Sequence, residues 1–239
     1  MTGGISGVLG LAMLSGCGTG QKKTDSAEYV IDPRRAVEQV CSVGQGVHEI
    51  TGSVWIQADS VEASGKFPAE VLVRDDRYLD LEILNPLGGT EAQIQVRGER
   101  YDVRIPGKKD RDRKGVGSWG GIPLDWSHEL FLGRVPCLAK DRRDAASTRW
   151  IKVGEELEVV GTNKSGDSET YRYTVERTDE QFWPRRLVWE KKTAKGPVEV
   201  RFAFDQPTED AMRSPRKWEA KSRKGEVVIR WRERAVKTQ

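Results

Sequence analysis

Histidine and cysteine are scarce in this sequence, which has two histidines and three cysteines among 239 residues. Neither histidine belongs to an H-E-x-x-H motif or to a Cys/His spacing that would hold zinc. No G-x-S-x-G elbow occurs, and Gly115–Gly120 matches G-x-G-x-x-G only after a charged loop, where a strand would be required. We therefore expect no enzyme, no metal and no cofactor.

Long hydrophobic runs and an excess of one charge are also missing. Hydrophobic residues make up 36% and the mean hydropathy is −0.63, which excludes a polytopic membrane protein. Lys and Arg number 40 against 37 Asp and Glu, so the net charge is only +3. The two signs are interleaved, which argues against a nucleic-acid binder. The charged segment from Gly107 to Gly115 is predicted to be a solvated loop for the same reason.

The N-terminus carries the most specific local signal. Gly4 to Gly16 form an uncharged apolar run, shorter than the ~20 residues of a membrane-spanning helix and typical of a secretory signal. The run ends in Leu14-Ser15-Gly16-Cys17, which resembles the bacterial lipobox, whose cysteine is acylated and becomes the first residue of the mature protein. A buried apolar segment with an incidental cysteine is the alternative.

This motif gives a domain organisation. We expect a lipoprotein signal peptide over residues 1–16, a lipidated Cys17 with a flexible tether over 17–28, and a folded domain over 29–239. No Lys or Arg precedes the apolar run, so a start upstream of Met1 stays open. Gly18 replaces the Asp that commonly retains lipoproteins at the inner membrane of enteric bacteria. The expected location is therefore the periplasmic face of the outer membrane.

Most of the chain after the tether is predicted to form β-strands. After a short helix capped by Asp32 and begun by Pro33, apolar and polar residues alternate with period two in many segments separated by turn residues. This pattern predicts a mainly β fold built on one antiparallel sheet of roughly ten or more strands. So large a sheet must curl or close. A second helix is predicted over residues 123–132, and two short helices would leave an apolar cavity over the sheet.

The segment from Asn85 to Glu91 is an unusual turn. It joins two alternating strands with turn residues but carries a large apolar side chain, Leu87, between Pro86 and Gly88. A hairpin tip normally faces water, so Leu87 would be expected to touch a partner or a membrane. In the alternative, the loop folds back and Leu87 covers the edge of the sheet.

The two remaining cysteines, Cys41 and Cys137, would lie in a compartment that permits disulfides. One pair allows only one connectivity. Two unpaired buried thiols are the alternative, because the sequence does not show whether their Cα atoms lie within ~7 Å.

The lipobox, the strand-rich body and two segments together resemble LolB, the outer-membrane lipoprotein receptor family. The segments are N-P-L-G-G-T-E-A-Q-I-Q-V at 85–96 and I-P-L-D-W-S-H-E-L-F-L-G at 122–133. The resemblance covers roughly residues 30–204. It implies an open half-barrel with a helical lid over an apolar cavity, which takes acylated lipoproteins from a periplasmic LolA-type carrier as a monomer. Leu87 matches the family's protruding leucine. Cys41 and Cys137 depart from the family pattern, and if both lie beside the lid helices, a disulfide between them would tie the lid together.

The resemblance also gives candidate residues for binding acyl chains. They are inward positions on the strands and on the second helix: Val71, Val73, Leu81, Ile83, Ile94, Val96, Val103, Leu130 and Phe131. An ordinary filled core is the alternative, because alternation does not distinguish it from a cavity. Two other functions also stay open. One is a non-catalytic lipoprotein that scaffolds an envelope assembly or export machine. The other is a hydrolase with a buried, pKa-shifted cluster at His48 or His128.

Overall fold

The computed structural model describes residues 31–61, 63–162, 166–178, 181–194, 196–205 and 214–238. The predicted signal peptide, the lipidated Cys17 and the tether lie outside these residues. The described chain forms three α-helices, one short 3₁₀ helix and fifteen strands. The helices are α1 (Pro33–Cys41), α2 (Asp125–Phe131) and α3 (Lys140–Arg143), and the 3₁₀ helix is Lys109–Arg111.

The strands follow in chain order. They are β1 (Val47–Ser60), β2 (Ser64–Arg74), β3 (Tyr78–Leu84), β4 (Thr90–Arg97), β5 (Arg100–Arg104), β6 (Arg113–Val116), β7 (Ser118–Trp119), β8 (Ile122–Pro123), β9 (Ser147–Lys152), β10 (Glu156–Thr162), β11 (Ser168–Thr178), β12 (Gln181–Thr193), β13 (Gly196–Phe204), β14 (Lys217–Ser222) and β15 (Gly225–Thr238).

The predicted large antiparallel sheet is confirmed. It has 13 strands in the order β6-β5-β4-β3-β2-β1-β15-β14-β13-β12-β11-β10-β9. The chain thus builds one half outward from β1, crosses to the opposite edge at β9, and returns until β15 pairs with β1. Strands β6 and β9 are the two ends of this order, so the sheet is open, and β7 and β8 form a separate hairpin.

Both predicted helices are present. The Asp32 side chain accepts a hydrogen bond from the Arg34 amide (2.9 Å), and Pro33 occupies the first turn of α1. Helix α1 buries Ala36 and Val40 on the face that packs against β9 and β12. Helix α2 is shorter than predicted, because Pro123 belongs to β8. It packs against β2 and β3 on the other half of the sheet, and its aromatic side chains also reach β12, β13 and β14.

The prediction of a solvated loop from Gly107 to Gly115 is wrong in its second half. Arg113–Val116 form the edge strand β6, in which Gly115 pairs with Tyr101. A Cβ at Gly115 would lie 2.2 Å from a ring carbon of Tyr101, so only glycine fits there. Arg113 and Lys114 are exposed, as charged residues on an edge strand commonly are. The charged residues of this edge strand were the reason why the sequence predicted a loop.

Candidate functional site

A cavity of about 810 Å³ lies between the inner face of the sheet, helix α2 and the β7–β8 hairpin. This volume falls within the range of about 300–1,000 Å³ common for ligand sites. The walls come mainly from β1, β3, β4, β5, β15 and α2, with one residue each from β2 (Phe67) and β14 (Trp218), and they are mainly aliphatic. Apolar lining residues include Ile56, Leu79, Leu81, Ile83, Ile94, Val96, Val103, Leu124, Leu130, Phe131 and Ile229.

The structure brings most of the predicted cavity residues together. Leu81, Ile83, Ile94, Val96, Val103, Leu130 and Phe131 line the cavity. Val71 and Val73 do not line it, although both are buried, at 5% and 0% exposure. They face the same side as the cavity residues, since Val71 pairs with Leu81 across β2 and β3, but both are buried outside the cavity. Alternation predicts which side a residue faces, not what covers it.

Other lining residues were not predicted. Leu79, Ile56 and Ile229 follow the same alternation on their strands, so that signal was available in the sequence. Trp119 and Ile122 come from the β7–β8 hairpin. Its strands have two residues each, too few for any periodicity to identify them.

Aromatic contacts hold α2 on the sheet beside the cavity. Trp126 meets Trp189 and Phe202 edge to face, with centroid distances of 4.5 and 5.5 Å. Phe131 meets Trp218 in the same way at 5.5 Å. Such pairs add about 0.5–1.5 kcal/mol each beyond their area burial. Helix α2 has only seven residues, so these contacts, rather than helix propensity, hold it in place.

A disulfide joins Cys41 at the end of α1 to Cys137 beyond α2, with a Cα–Cα distance of 6.0 Å. The turns that follow the two helices also touch. Gly44 has φ +70°, and a Cβ there would lie 2.7 Å from the carbonyl oxygen of Gly133. This close approach requires glycine at Gly44. Helices α1 and α2 and the turns that follow them are therefore joined into one covering over the inner face of the sheet.

Arg134 links the same turns through polar contacts. Its guanidinium donates to the carbonyl oxygens of Val47 (2.6 Å) and Gly44 (3.4 Å), and to the Glu129 carboxylate (3.2 Å). Glu129 also contacts the imidazole of His128 at 2.9 Å. Burial alone would raise the pKa of Glu129, but the hydrogen bond and charge of His128, together with Arg134, hold that pKa below its ordinary value.

The segment Asn85–Gly89, called here the Leu87 loop, is held in shape by the side chain of Asn85. Asn85 Oδ1 accepts hydrogen bonds from the amides of Leu87 (2.9 Å) and Gly89 (3.0 Å). The Gly88 amide donates to the Asn85 carbonyl oxygen (2.9 Å), with Gly88 at φ +84°. Leu87 is 96% exposed, so it does not fold back on the sheet edge. Pro86, its neighbour, lines the cavity, which places Leu87 at the rim.

The β7–β8 hairpin is fixed at both sides of the cavity. Trp119 stacks on Tyr101 of β5, with ring centroids 5.7 Å apart. At the hairpin turn, the Ser222 hydroxyl donates to the carbonyl oxygen of Gly120. Ser222 ends β14, so the hairpin reaches from one arm of the sheet to the other. It closes part of the space that the two short helices leave open.

The histidines lie in separate places and neither lines the cavity. His48 contacts Asp75, the residue after β2, at the end of the sheet away from the Leu87 loop. His128 is buried and contacts Glu129 in α2. Within the described ranges, no group of His, Cys, Asp and Glu side chains could hold a metal ion. No described helix has the length and apolar character needed to cross a membrane.

Solved structures with the same architecture are found despite low sequence identity. A LolA superfamily protein from Nitrosomonas europaea matches with a TM-score of 0.53 and 11% identity, over 87% of this chain and 95% of its own. The chain has a LolA-like fold. A DUF1329 family protein from Desulfovibrio piger matches with a TM-score of 0.53 and 10% identity, over 86% of this chain and 93% of its own.

These likenesses concern the fold alone, because the identities are so low. No family model matches the chain, and no curated protein sequence matches it. The predicted resemblance is thus confirmed for the LolA/LolB type of open barrel and not for LolB in particular. What the LolA-like fold does in this protein has to be argued from the cavity and the Leu87 loop.

Proposed function

We propose that this protein is a lipid-anchored lipoprotein receptor that holds the acyl chains of its cargo in the cavity and releases them into a membrane beside the Leu87 loop. The observation that carries the proposal is the position of a fully exposed leucine at the rim of an apolar cavity. Each CH₂ kept from water contributes about 0.8 kcal/mol, so an acyl chain needs such a cavity to cross an aqueous space.

The end of the sheet that carries Leu87 fits contact with a membrane. Val61, in the turn between β1 and β2, is 91% exposed and lies at the same end, because Ser60 and Leu84 end strands on that side. Leu87 and Val61 have the largest exposed fractions among the large hydrophobic residues of the described chain. Burying a leucine in the acyl region contributes about 1.5–3 kcal/mol. Together they would hold the cavity mouth against the bilayer.

The cargo would come from a LolA-type carrier, and the receptor would act as a monomer anchored through Cys17 at the periplasmic face of the outer membrane. This part rests on the lipobox and on the two segments that resemble LolB. The transfer needs no cofactor, because acyl chains move from one apolar site to another and finally to the bilayer. Non-catalytic scaffolding of an envelope machine remains the rival function.

The test is transfer of an acylated lipoprotein from a LolA-type carrier to the chain carrying Cys17→Ala, followed by delivery to liposomes. Leu87→Glu is compared with Val153→Glu, which changes a 56% exposed valine in the turn between β9 and β10, at the opposite end of the sheet. We expect Leu87→Glu to accept cargo normally and to deliver it about ten times more slowly or worse.

Val153→Glu should behave like the unsubstituted protein. Equal defects in both variants would show a general effect of the added charge and would remove the special role of Leu87. Absence of transfer to the unsubstituted protein, under conditions where an authentic receptor accepts cargo, would favour the scaffold function.

A further inference from the structure

The mouth of the cavity carries a charged loop that acyl-chain binding alone does not use. The segment from Ile105 to Asp112, called here the β5–β6 loop, contributes Ile105 and Pro106 to the wall and Lys108 and Arg111 to the mouth. Lys108 and Arg111 are the only cationic side chains among the described residues that line the cavity. Both are exposed at its opening.

The β5–β6 loop has a defined shape. The Ile105 amide donates to the Asp112 carboxylate (3.0 Å), which closes the loop at its base. Inside it, the Lys108 amide donates to the Ile105 carbonyl oxygen (3.0 Å) and the Arg111 amide to that of Lys108 (2.9 Å). This 3₁₀ turn places the two cations three residues apart and therefore on the same side. Both are held above the aliphatic wall.

Two carboxylates also line the mouth. Glu226 is paired with Lys221, at 2.7 Å, so its charge is already balanced. Glu91, at the start of β4, is the other carboxylate among the described residues that line the cavity. Among the residues that line the mouth, Lys108, Arg111 and Glu91 therefore leave a net charge of +1 above an apolar cavity, while Asp110 and Asp112 of the same loop do not line it. An amphiphile with an apolar tail and an anionic head matches this arrangement, because cations bind phosphate through charge-assisted hydrogen bonds.

We propose that the cavity selects anionic amphiphiles, with Lys108 and Arg111 binding a phosphate headgroup while the acyl chain fills the aliphatic space below. This inference goes beyond the proposed function and shares only its acyl-binding cavity, because the acyl chains of a lipoprotein carry no phosphate headgroup. It assigns a role to the charged segment that the sequence alone suggests to be a solvated loop. The carboxylate of Glu91 repels the same anionic headgroup and so weakens its binding.

The test uses two ligands with the same palmitoyl chain, lysophosphatidylglycerol and monopalmitoylglycerol, titrated below their micelle concentrations into the chain carrying Cys17→Ala. Tryptophan fluorescence reports binding, because Trp119 and Trp218 line the cavity. We expect the anionic ligand to bind about ten times more tightly. The preference should shrink at high salt, because these exposed charges are screened.

Variants separate the cavity cations from charge in general. Lys108→Gln with Arg111→Gln should remove the preference and leave binding of monopalmitoylglycerol unchanged. Arg113→Gln with Lys114→Gln removes the same charge from β6, outside the cavity lining, and should leave the preference intact. Glu91→Gln should strengthen binding of the anionic ligand. Glycerol 3-phosphate and inorganic phosphate should compete weakly, since they lack the chain.

Equal affinities for the two palmitoyl ligands, or equal effects of the two double variants, would overturn the headgroup site. Strong binding of inorganic phosphate would also overturn it, because the loop would then be a phosphate site independent of lipid. If the neutral ligand binds and no preference is seen, acyl binding stands and only the headgroup site fails. If neither ligand binds, the acyl-binding function fails with it.

Discussion

Loss of the Cys41–Cys137 disulfide should lower the stability of this fold substantially. The bond joins residues 96 positions apart, so it closes a long loop in the unfolded chain. The chain-entropy model gives about 4–5 kcal/mol for a loop of roughly 100 residues, and measured values are commonly 2–4 kcal/mol. We therefore expect Cys41→Ala with Cys137→Ala to lower the free energy of unfolding by about 2–5 kcal/mol.

The effect should be structural as well as entropic. The bond connects α1, which packs on β9 and β12, to the segment that follows α2, which packs on β2 and β3. Without it, the two turns at Gly44 and Gly133 would be held by their contact and by Arg134. Amide hydrogen exchange in α1 should therefore rise more than exchange in the central strands β1 and β15.

Urea denaturation of the chain carrying Cys17→Ala, with and without reductant, measures the stability effect. Reductant should bring this protein to the level of the double cysteine variant and leave that variant unchanged. The entropic reasoning is refuted if the double variant lies within about 0.5 kcal/mol of the parent, which is the scale of ordinary surface substitutions. Peptide mapping under non-reducing conditions tests the bond itself. If it finds both thiols free, the prediction has no basis.

Three further changes test the cavity and its covering. The lowered pKa of Glu129 means that its ionised form stabilises the fold above its ordinary pKa and that this contribution is lost as the pH falls through the folded-state pKa. Glu129→Gln should thus reduce the free energy of unfolding at pH 7, and urea titrations should show the difference from the parent shrinking below about pH 4; a difference independent of pH would contradict this. Gly44→Ala forces a Cβ against the carbonyl of Gly133 at a positive φ, so thermal unfolding should reveal a loss of about 1–3 kcal/mol, and an unchanged midpoint would show that the turns separate freely. Leu81→Trp fills cavity space, so fluorescence titration should show weaker binding of monopalmitoylglycerol with little loss of stability, whereas unchanged binding would place the acyl chain elsewhere.

The sequence predicted the sheet and its two larger helices because both have strong local signals. Asp32 and Pro33 mark the start of α1, and period-two alternation marks the strands. Helix α3 was missed, since K-D-R-R has no apolar periodicity, and none of its residues is buried. The edge strand β6 was missed because its charged residues look like those of a loop. These failures concern elements whose position is decided by tertiary neighbours.

Alternation alone could not separate cavity-lining residues from a filled core, because that depends on which inward positions are covered and how large they are. Val71 and Leu81 pair directly across β2 and β3, yet only Leu81 reaches the cavity. The Leu87 loop was easier to find, because an apolar residue among turn residues is unusual. Its exposure follows from the hydrogen bonds of Asn85, which fix the backbone and leave Leu87 outside.

Side-chain size explains why the cavity lies over one half of the sheet. The inner face of β12 to β15 carries Trp189, Phe202, Trp218 and Trp231, all buried, and these rings pack against Trp126 and Phe131 of α2, with Trp218 at the border of the cavity. The inner face of β3 to β5 carries aliphatic residues such as Leu81, Ile94 and Val103, which line the cavity beside α2. Smaller side chains fill less of the space between the sheet and its covering, so volume is left unfilled. The chain thus packs its aromatic half as a core and leaves over its aliphatic half a cavity that opens beside Leu87, where we propose that acyl chains bind.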